Sequence, residues 1–468
     1  MKRRSFIKTA GAIGGAAFFP EIMLGNPQVI KSQQPNILFI MTDQQTAKAT
    51  SHRGNPWLKT PHLDRLAQHG TTFTRAYCPQ PLCGPCRSSM LTGKYPHQIQ
   101  ATVNLEETPN YWSKDLKVMG TYLKEAGYDT GYVGKWHLPV PIADSAHHGF
   151  DYMTNTQRRD WQDASIPADC GEFMKRKRAK PFFLVASFTN PHDICEWARG
   201  QKLRMDEIGE APSPDQCPPL PDNFEPPVDE PSFLREMHLK SWPQYPTVGW
   251  KEDQWRQYQW AYYRLVEQVD VYIGRVLEAL ERSGHLNNTI IVFTSDHGDG
   301  NAAHRLNQKQ VLYEEATNVP FIISHLTKGK QRTDNTTLIN TGLDLIPTFC
   351  DYAGAQRPAH LSGLSLKASI DKNNESVRNY LFLQTEFAEN QKSFGIHGRA
   401  VVDSRYKYII YSAGENREQL FDLKNDPGEM HNLADQPHYA SVKTQLRSQL
   451  RAWQKDQNDT VQILSDNG

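Results

Sequence analysis

Several short stretches of the chain are apolar almost continuously instead of at alternate positions. Ile37-Leu38-Phe39-Ile40-Met41 is the first, preceded by Pro35-Asn36 and ended by Thr42-Asp43. Phe182 to Phe188, Thr289 to Thr294 and Val319 to Ser324 repeat the pattern. A strand apolar on both faces belongs inside a sheet covered on both sides, the habit of parallel sheets. Helical periodicity fills the intervals. It is clearest over 254–283, where Trp255, Tyr258, Tyr262, Leu265, Val269, Ile273, Val276 and Leu280 recur at three- and four-residue steps. The alternation predicts an α/β fold built on a large mixed, mostly parallel sheet flanked by helices. Ligands of such sheets gather at the carboxyl ends of the strands. Asp43 and Asp296 each follow a strand directly, so both are expected to reach one crevice.

From about residue 375 the texture changes. Leu381 to Phe387, Ala400 to Tyr411 and Gln419 to Leu423 read as short strands and 440–456 as a closing helix. These predict a smaller C-terminal α+β domain over 375–468, after a catalytic domain over 35–370. The stretch 200–250 is acidic and carries Pro212, Pro214, Pro218, Pro219 and Pro221, which suits a long surface excursion over the site.

The first 25 residues read differently. Lys2-Arg3-Arg4-Ser5-Phe6-Ile7-Lys8 is a basic start with an arginine pair, and the apolar run Thr9 to Phe19 behind it is too short for a membrane span. This is the pattern of a twin-arginine export signal, handled by the twin-arginine export machinery, and it predicts a periplasmic or otherwise exported protein with no membrane span. That route carries folded proteins, so something is completed before transit. Lys+Arg and Asp+Glu are equal at 52 each, so no global field favours nucleic acid. Seven cysteines leave at least one without an internal partner: one is free, or one has been converted.

Cys83-Gly84-Pro85-Cys86 taken alone has the spacing of a thiol–disulfide redox motif, and an ordinary disulfide is a further reading. With its flanks the segment is Pro81-Leu82-Cys83-Gly84-Pro85-Cys86-Arg87-Ser88-Ser89-Met90-Leu91-Thr92-Gly93, and it contains Cys-x-Pro-x-Arg. It resembles the signature of the type I sulfatases, in which the first Cys is oxidised to formylglycine. Cys86 departs from the commoner Ser or Ala and keeps the redox reading open. Other segments match that family in order: Asn36 to Gln44, Thr60 to Ala67, Gly134-Lys135-Trp136-His137-Leu138, Pro191-His192, Thr294-Ser295-Asp296-His297-Gly298, and Lys309 with Tyr313-Glu314-Glu315. Leu420-Phe421-Asp422-Leu423 with Asp426-Pro427 and Glu429 extends the match towards 460. The resemblance implies an alkaline-phosphatase-like fold.

It also implies roles. Cys83 becomes formylglycine, made by a formylglycine-generating maturation enzyme, and its hydrate is the nucleophile. Arg87 sets a permanent cation beside it, on a helix opening near Ser88 to Leu91. Asp43, Gln44, Asp296 and His297 hold a divalent metal, Ca²⁺ or else Mg²⁺, because a mainly oxygen donor set favours a hard ion. Gln44 stands where many members have a second Asp, a variant shared with choline-sulfatase-like enzymes. Lys135 neutralises sulfate, His137 orients the hydrate, Lys309 and His192 contact sulfate oxygens, and His192 is the candidate proton donor to the leaving oxygen. Looser substrate candidates are Asn104, Glu106, Glu107, His147, His148, Glu196, Trp197, His304, Arg305, His397 and Arg399. The expected substrate is a sulfated sugar such as a glycosaminoglycan fragment. Rival readings are a phosphonate or phosphodiester hydrolase on the same fold, a choline-sulfatase, an exported thiol–disulfide oxidoreductase, and an inactive sugar-binding relative.

Overall fold

A computed structural model describes residues 34–108, 111–154, 163–204, 207–239, 246–307, 309–372, 378–389 and 391–463. The export signal expected at 1–25 lies outside the described residues. From Gln34 onward the chain forms one compact unit.

An eight-stranded sheet organises the molecule. In spatial order its strands are Tyr152–Thr154, Asp129–Gly134, Phe182–Pro191, Asn36–Asp43, Thr289–Ser295, Phe321–Ser324, Gly70–Phe73 and Arg332–Asp334. The first five run parallel, and Phe321–Ser324 is antiparallel to both its neighbours. All eight residues of Asn36–Asp43 and all ten of Phe182–Pro191 are buried, as a sheet covered on both faces requires. One cover is the long helix Glu252–Arg282, whose Val269, Ile273, Val276 and Leu280 pack on Leu38, Ile40, Leu184 and Phe293. The helices Cys83–Thr92, Met119–Glu125 and Thr341–Tyr352 cover the other, where Met90, Leu123 and Phe349 join Phe39, Val185 and Val292.

The C-terminal region forms a four-stranded antiparallel sheet, Leu381–Glu389, Lys392–Val402, Tyr406–Tyr411 and Glu418–Asp422, closed by the helix Ala440–Asp456. The stretch expected as one strand over Ala400 to Tyr411 is two, folded back at Asp403. The Asp403 Oδ1 accepts the backbone N–H groups of Arg405 at 2.7 Å and Tyr406 at 2.6 Å, and so builds the turn. The Pro-rich excursion is not wholly superficial: Cys217, Glu230 and Leu234 are fully buried. No helix among the described residues is long and apolar enough to cross a membrane.

Candidate active site

Four adjacent parallel strands end at the same edge of the sheet, and each end delivers part of the site. Asp129–Gly134 leads into Lys135 and His137, Phe182–Pro191 into His192, Asn36–Asp43 into Gln44, and Thr289–Ser295 into Asp296 and His297. Gly134 is obligatory at its turn. Its φ is +100°, and a Cβ there would lie 2.0 Å from the Ser187 carbonyl oxygen. Gln44 and His137 also adopt left-handed backbone, at φ 71° and 49°, which turns both side chains off the strand direction.

Cys83 opens the helix Cys83–Thr92 and points back at these strand ends. Its Sγ lies 3.1 Å from His297 Nε2, 3.0 Å from Lys309 Nζ and 3.5 Å from Asp43 Oδ1. The Gly84 N–H, next in the helix, donates to Asn104 Oδ1 at 2.9 Å. Arg87, one turn on, bridges the two acids: Nη2 donates to Asp43 Oδ2 at 3.1 Å and Nε to Asp296 Oδ2 at 2.7 Å. Its remaining donor, Nη1, meets Ser187 Oγ at 2.8 Å and the Lys135 carbonyl at 3.1 Å. Lys135 Nζ pairs with Asp43 Oδ2 at 2.5 Å. Lys309 Nζ donates to Gln44 Oε1 at 2.9 Å. Thus all ten residues singled out in the sequence meet in one place. Eight are buried, and His137 and His192 alone among the ten are half-buried, which marks the mouth.

Electrostatics follow from this packing. Burial alone would push the Cys83 thiol up, but Lys309, Lys135 and His297, with a hydrogen bond from His137, hold it well below the ordinary thiol range. Burial and the Cys83 charge work against Asp43, and Lys135, His192 and Arg87 overcome them to keep it below the usual carboxylate range. Burial and then the Asp43 charge push Asp296 up to about 6. Burial disfavours the His297 cation, yet Asp296 raises it to about 9. His192 is pushed down to about 3, first by burial and then by the Lys309 and Lys135 cations.

Supporting residues that carry no motif complete the site. Ser187 accepts from Arg87 and donates to the Lys135 carbonyl at 2.8 Å. Asp163 accepts the N–H groups of Thr189 at 2.7 Å and Asn190 at 2.8 Å, pinning the strand end that presents His192. Asp299 accepts from the Gln44 amide, and Tyr262 donates to the Gln44 carbonyl. Only the fold reveals these, because each faces a partner distant in sequence.

Several looser candidates lie elsewhere. Arg399 is buried against Asp459, with Nε–Oδ2 at 2.6 Å and Nη2–Oδ1 at 2.8 Å. His148 packs on Trp136, with its Nε2 2.9 Å from the Ile142 carbonyl. His304 stacks on Tyr313 at 4.3 Å, and Arg305 pairs with Glu225 at 2.5 Å. Glu196 pairs with Arg199 at 2.6 Å and also with Arg204. The redox pair does not form either. None of the seven cysteines forms a disulfide and all are buried, and Cys86 faces the core, where burial and then its neighbour Cys78 push its thiol up.

A buried thiol at a helix start, ringed by cations at the carboxyl edge of a parallel sheet, suits the binding of an anionic ester, and the sheet with its two helical covers is of the alkaline-phosphatase-like class. The chain belongs to the sulfatase family: the Sulfatase family model matches residues 35–355, and the C-terminal model of N-sulphoglucosamine sulphohydrolase matches residues 302–456. It is a sulfuric ester hydrolase. A Delta 4,5-hexuronate-2-O-sulfatase of Bacteroides thetaiotaomicron is 29% identical, covering 89% of this chain and 88% of its own. An N-acetylglucosamine-6-O-sulfatase of the same organism is 27% identical over 93% and 88%. A solved 2-O GAG sulfatase superposes with a TM-score of 0.81 at 28% identity, over 93% of this chain and 95% of that one. The phosphonate monoester hydrolase of Agrobacterium radiobacter shares the fold, with a TM-score of 0.73 at 21% identity over 90% and 96%.

Proposed function

We propose that this protein removes sulfate from a sulfated sugar of the glycosaminoglycan type, using formylglycine made from Cys83 and a divalent cation held by Asp43, Gln44, Asp296 and His297. The observation that carries the reading is the convergence of Lys135, Lys309 and Arg87 on the Cys83 sulfur and its acids. The similarity to two sugar O-sulfatases supports the substrate class.

The donor set fits a cation. Asp43, Cys83, Asp296 and His297 each offer a ligand atom within 4.8 Å of the others, all buried. Burial and then the Asp43 charge raise Asp296, and a divalent ion would relieve both. The predominance of oxygen donors favours Ca²⁺, with Mg²⁺ next. Held by Asp43, Gln44, Asp296 and His297, such an ion would supply a fixed positive charge that stabilises anionic oxygen in the site. Formylglycine at position 83, held among Lys135, His137, Lys309 and Arg87, would supply a hydrated aldehyde as the hydroxyl nucleophile.

The chain's own residues do the rest. Lys135 and Lys309 neutralise the sulfate oxygens and hold residue 83 in place. Arg87 locks Asp43 and Asp296 into one geometry. His137 orients the side chain at 83. His192 stands at the mouth and is held neutral in the substrate-free site. An arriving sulfate monoester places negative charge against it, raises its pKa and prepares it to protonate the leaving sugar oxygen. Cys83 is converted by a formylglycine-generating enzyme before twin-arginine export, and the mature protein is periplasmic or otherwise exported.

The test is a panel of 2-O-, 6-O- and N-sulfated disaccharides beside a phosphate diester. Preferential sulfate release from a disaccharide is the expected result. Faster turnover of the diester would move the protein to the phosphonate and phosphodiester branch.

A further inference from the structure

The residue at position 44 poses a problem that a carboxylate would not. A carboxylate offers oxygen at both tips, whereas the Gln44 side chain offers oxygen at one and an NH₂ group at the other. Rotated by half a turn, the amide would present two hydrogens to the place where the metal is expected. Something must choose between the two orientations, and the choice is made at the end of the side chain away from Cys83.

Gln44 is fully buried. Its Oε1 accepts from Lys309 Nζ at 2.9 Å, and its Nε2 donates to Asp299 Oδ2 at 2.7 Å. An ammonium only donates and a carboxylate only accepts, so these two partners fix the amide by chemistry. Asp299 is itself locked. Its Oδ1 accepts from Tyr258 OH at 2.9 Å and from the Asn301 N–H at 2.7 Å, and it too is fully buried. Tyr258 comes from the long helix Glu252–Arg282, so the lock is anchored to the sheet cover as well as to its own loop through Asn301.

We infer that Asp299 is a positioning residue for the metal site: its carboxylate holds the Gln44 amide with Oε1 turned towards Lys309 and Cys83 and Nε2 turned away. The inference rests on the proposed role of Gln44 as a metal ligand. Asp299 also sets a buried carboxyl directly against the Gln44 amide, beside a ligand set that has one charge fewer than a pair of aspartates would give. An outer partner that orients a ligand typically changes metal affinity by about 10–100-fold when removed.

Asp299→Asn isolates the effect. The new amide keeps its oxygen on the Tyr258 and Asn301 donors, so its NH₂ faces Gln44 Nε2, and two donors cannot pair. Gln44 turns over and offers NH₂ to the ion. Adding Gln44→Glu repairs the contact with reversed polarity. The new carboxylate accepts from the new amide with one oxygen and from Lys309 with the other, and the total charge of the pair is unchanged.

The experiment is equilibrium dialysis of purified metal-free protein against Ca²⁺, with the Ca²⁺-dependent rise in unfolding midpoint as a second readout. Neither needs turnover or conversion of Cys83. The expected results are a loss of about 10–100-fold in affinity for D299N and recovery to within about threefold of wild type for Q44E/D299N. Wild-type affinity in D299N would overturn the inference. A weakened D299N that Q44E fails to repair would also overturn it, because Asp299 would then act through charge or packing and not through amide orientation. If D299N does not fold, Tyr258→Phe carries the test: a several-fold loss supports the lock, and unchanged affinity overturns it. Absence of Ca²⁺ binding by wild type would instead defeat the metal reading, and this inference with it.

Discussion

Among the described residues, the ionic cluster around Cys83 and the one around Lys407 are both built on buried lysine, and the first alone of these two has the makings of a catalyst. In the first, Arg87, Lys135, Lys309 and His297 face Asp43, Asp296 and Cys83, with half-buried His137 and His192 at the edge. In the second, Lys407 is wholly buried, with Nζ 3.1 Å from Glu314 Oε1, 3.0 Å from Glu429 Oε1 and 3.5 Å from Thr317 Oγ1. Glu315 and His304 lie against the same group, each offering an atom within 4.8 Å of Glu429. The difference is the sign of the surplus. The first cluster has more cations than fixed anions and directs them at a mouth, which suits an anionic ester. The second has three glutamates around one lysine, and burial with the charges of Glu314 and Glu315 outweighs Lys407 and raises Glu429 to about 8. It takes up a proton on Glu429, which leaves a single net negative charge, and ties the strand Tyr406–Tyr411 to the helix Glu314–Thr317, just beyond Lys309. Burial and ion pairing alone therefore do not mark an active site; surplus charge with access does.

The comparison breaks most visibly at Cys83. Cys83→Ala is expected to lower kcat by on the order of 10⁴-fold or more, because the other groups act on that position. Folding stability should change by less than about 1 kcal/mol in urea titration. The converse is expected at Lys407. Lys407→Met leaves buried Glu429 and half-buried Glu314 without their cation and should cost about 3–5 kcal/mol of stability, with KM at low temperature unchanged. A large KM change with intact stability would erase the distinction between the clusters. Arg87→Lys tests the first cluster more finely: a lysine cannot bridge both acids, and kcat/KM should fall about 100-fold. The smallest effect concerns Glu429. Its folded pKa is raised, so the folded state holds a proton that the unfolded chain releases above its ordinary value of 4.5. Stability should decline as pH rises from about 5 to about 8, and Glu429→Gln should flatten that slope in denaturant midpoints.

Much of the first cluster was legible because its residues sit at strand ends and helix starts, where position in the sequence dictates position in space. Asp43, Asp296 and His192 follow apolar runs whose parallel pairing brings them to one edge. The boundary at Asp403 was missed because a side-chain-capped turn interrupts an otherwise continuous strand pattern. Ser187, Asp163 and Asp299 were not legible for a different reason. A buried Ser or Asp announces nothing in sequence until register shows which donors it faces. Arg399 misled in the opposite sense: a cation on a strand of the second sheet looked available, and Asp459 occupies it.

The account depends above all on the chemical state of residue 83. Peptide mass spectrometry of protein from the native cells, reduced and alkylated, over the stretch 76–94 reads that state directly. The account predicts that Cys83 has lost the mass separating a thiol from an aldehyde side chain, while Cys86 is alkylated. Two alkylated cysteines, in cells with an active formylglycine-generating enzyme, would contradict it.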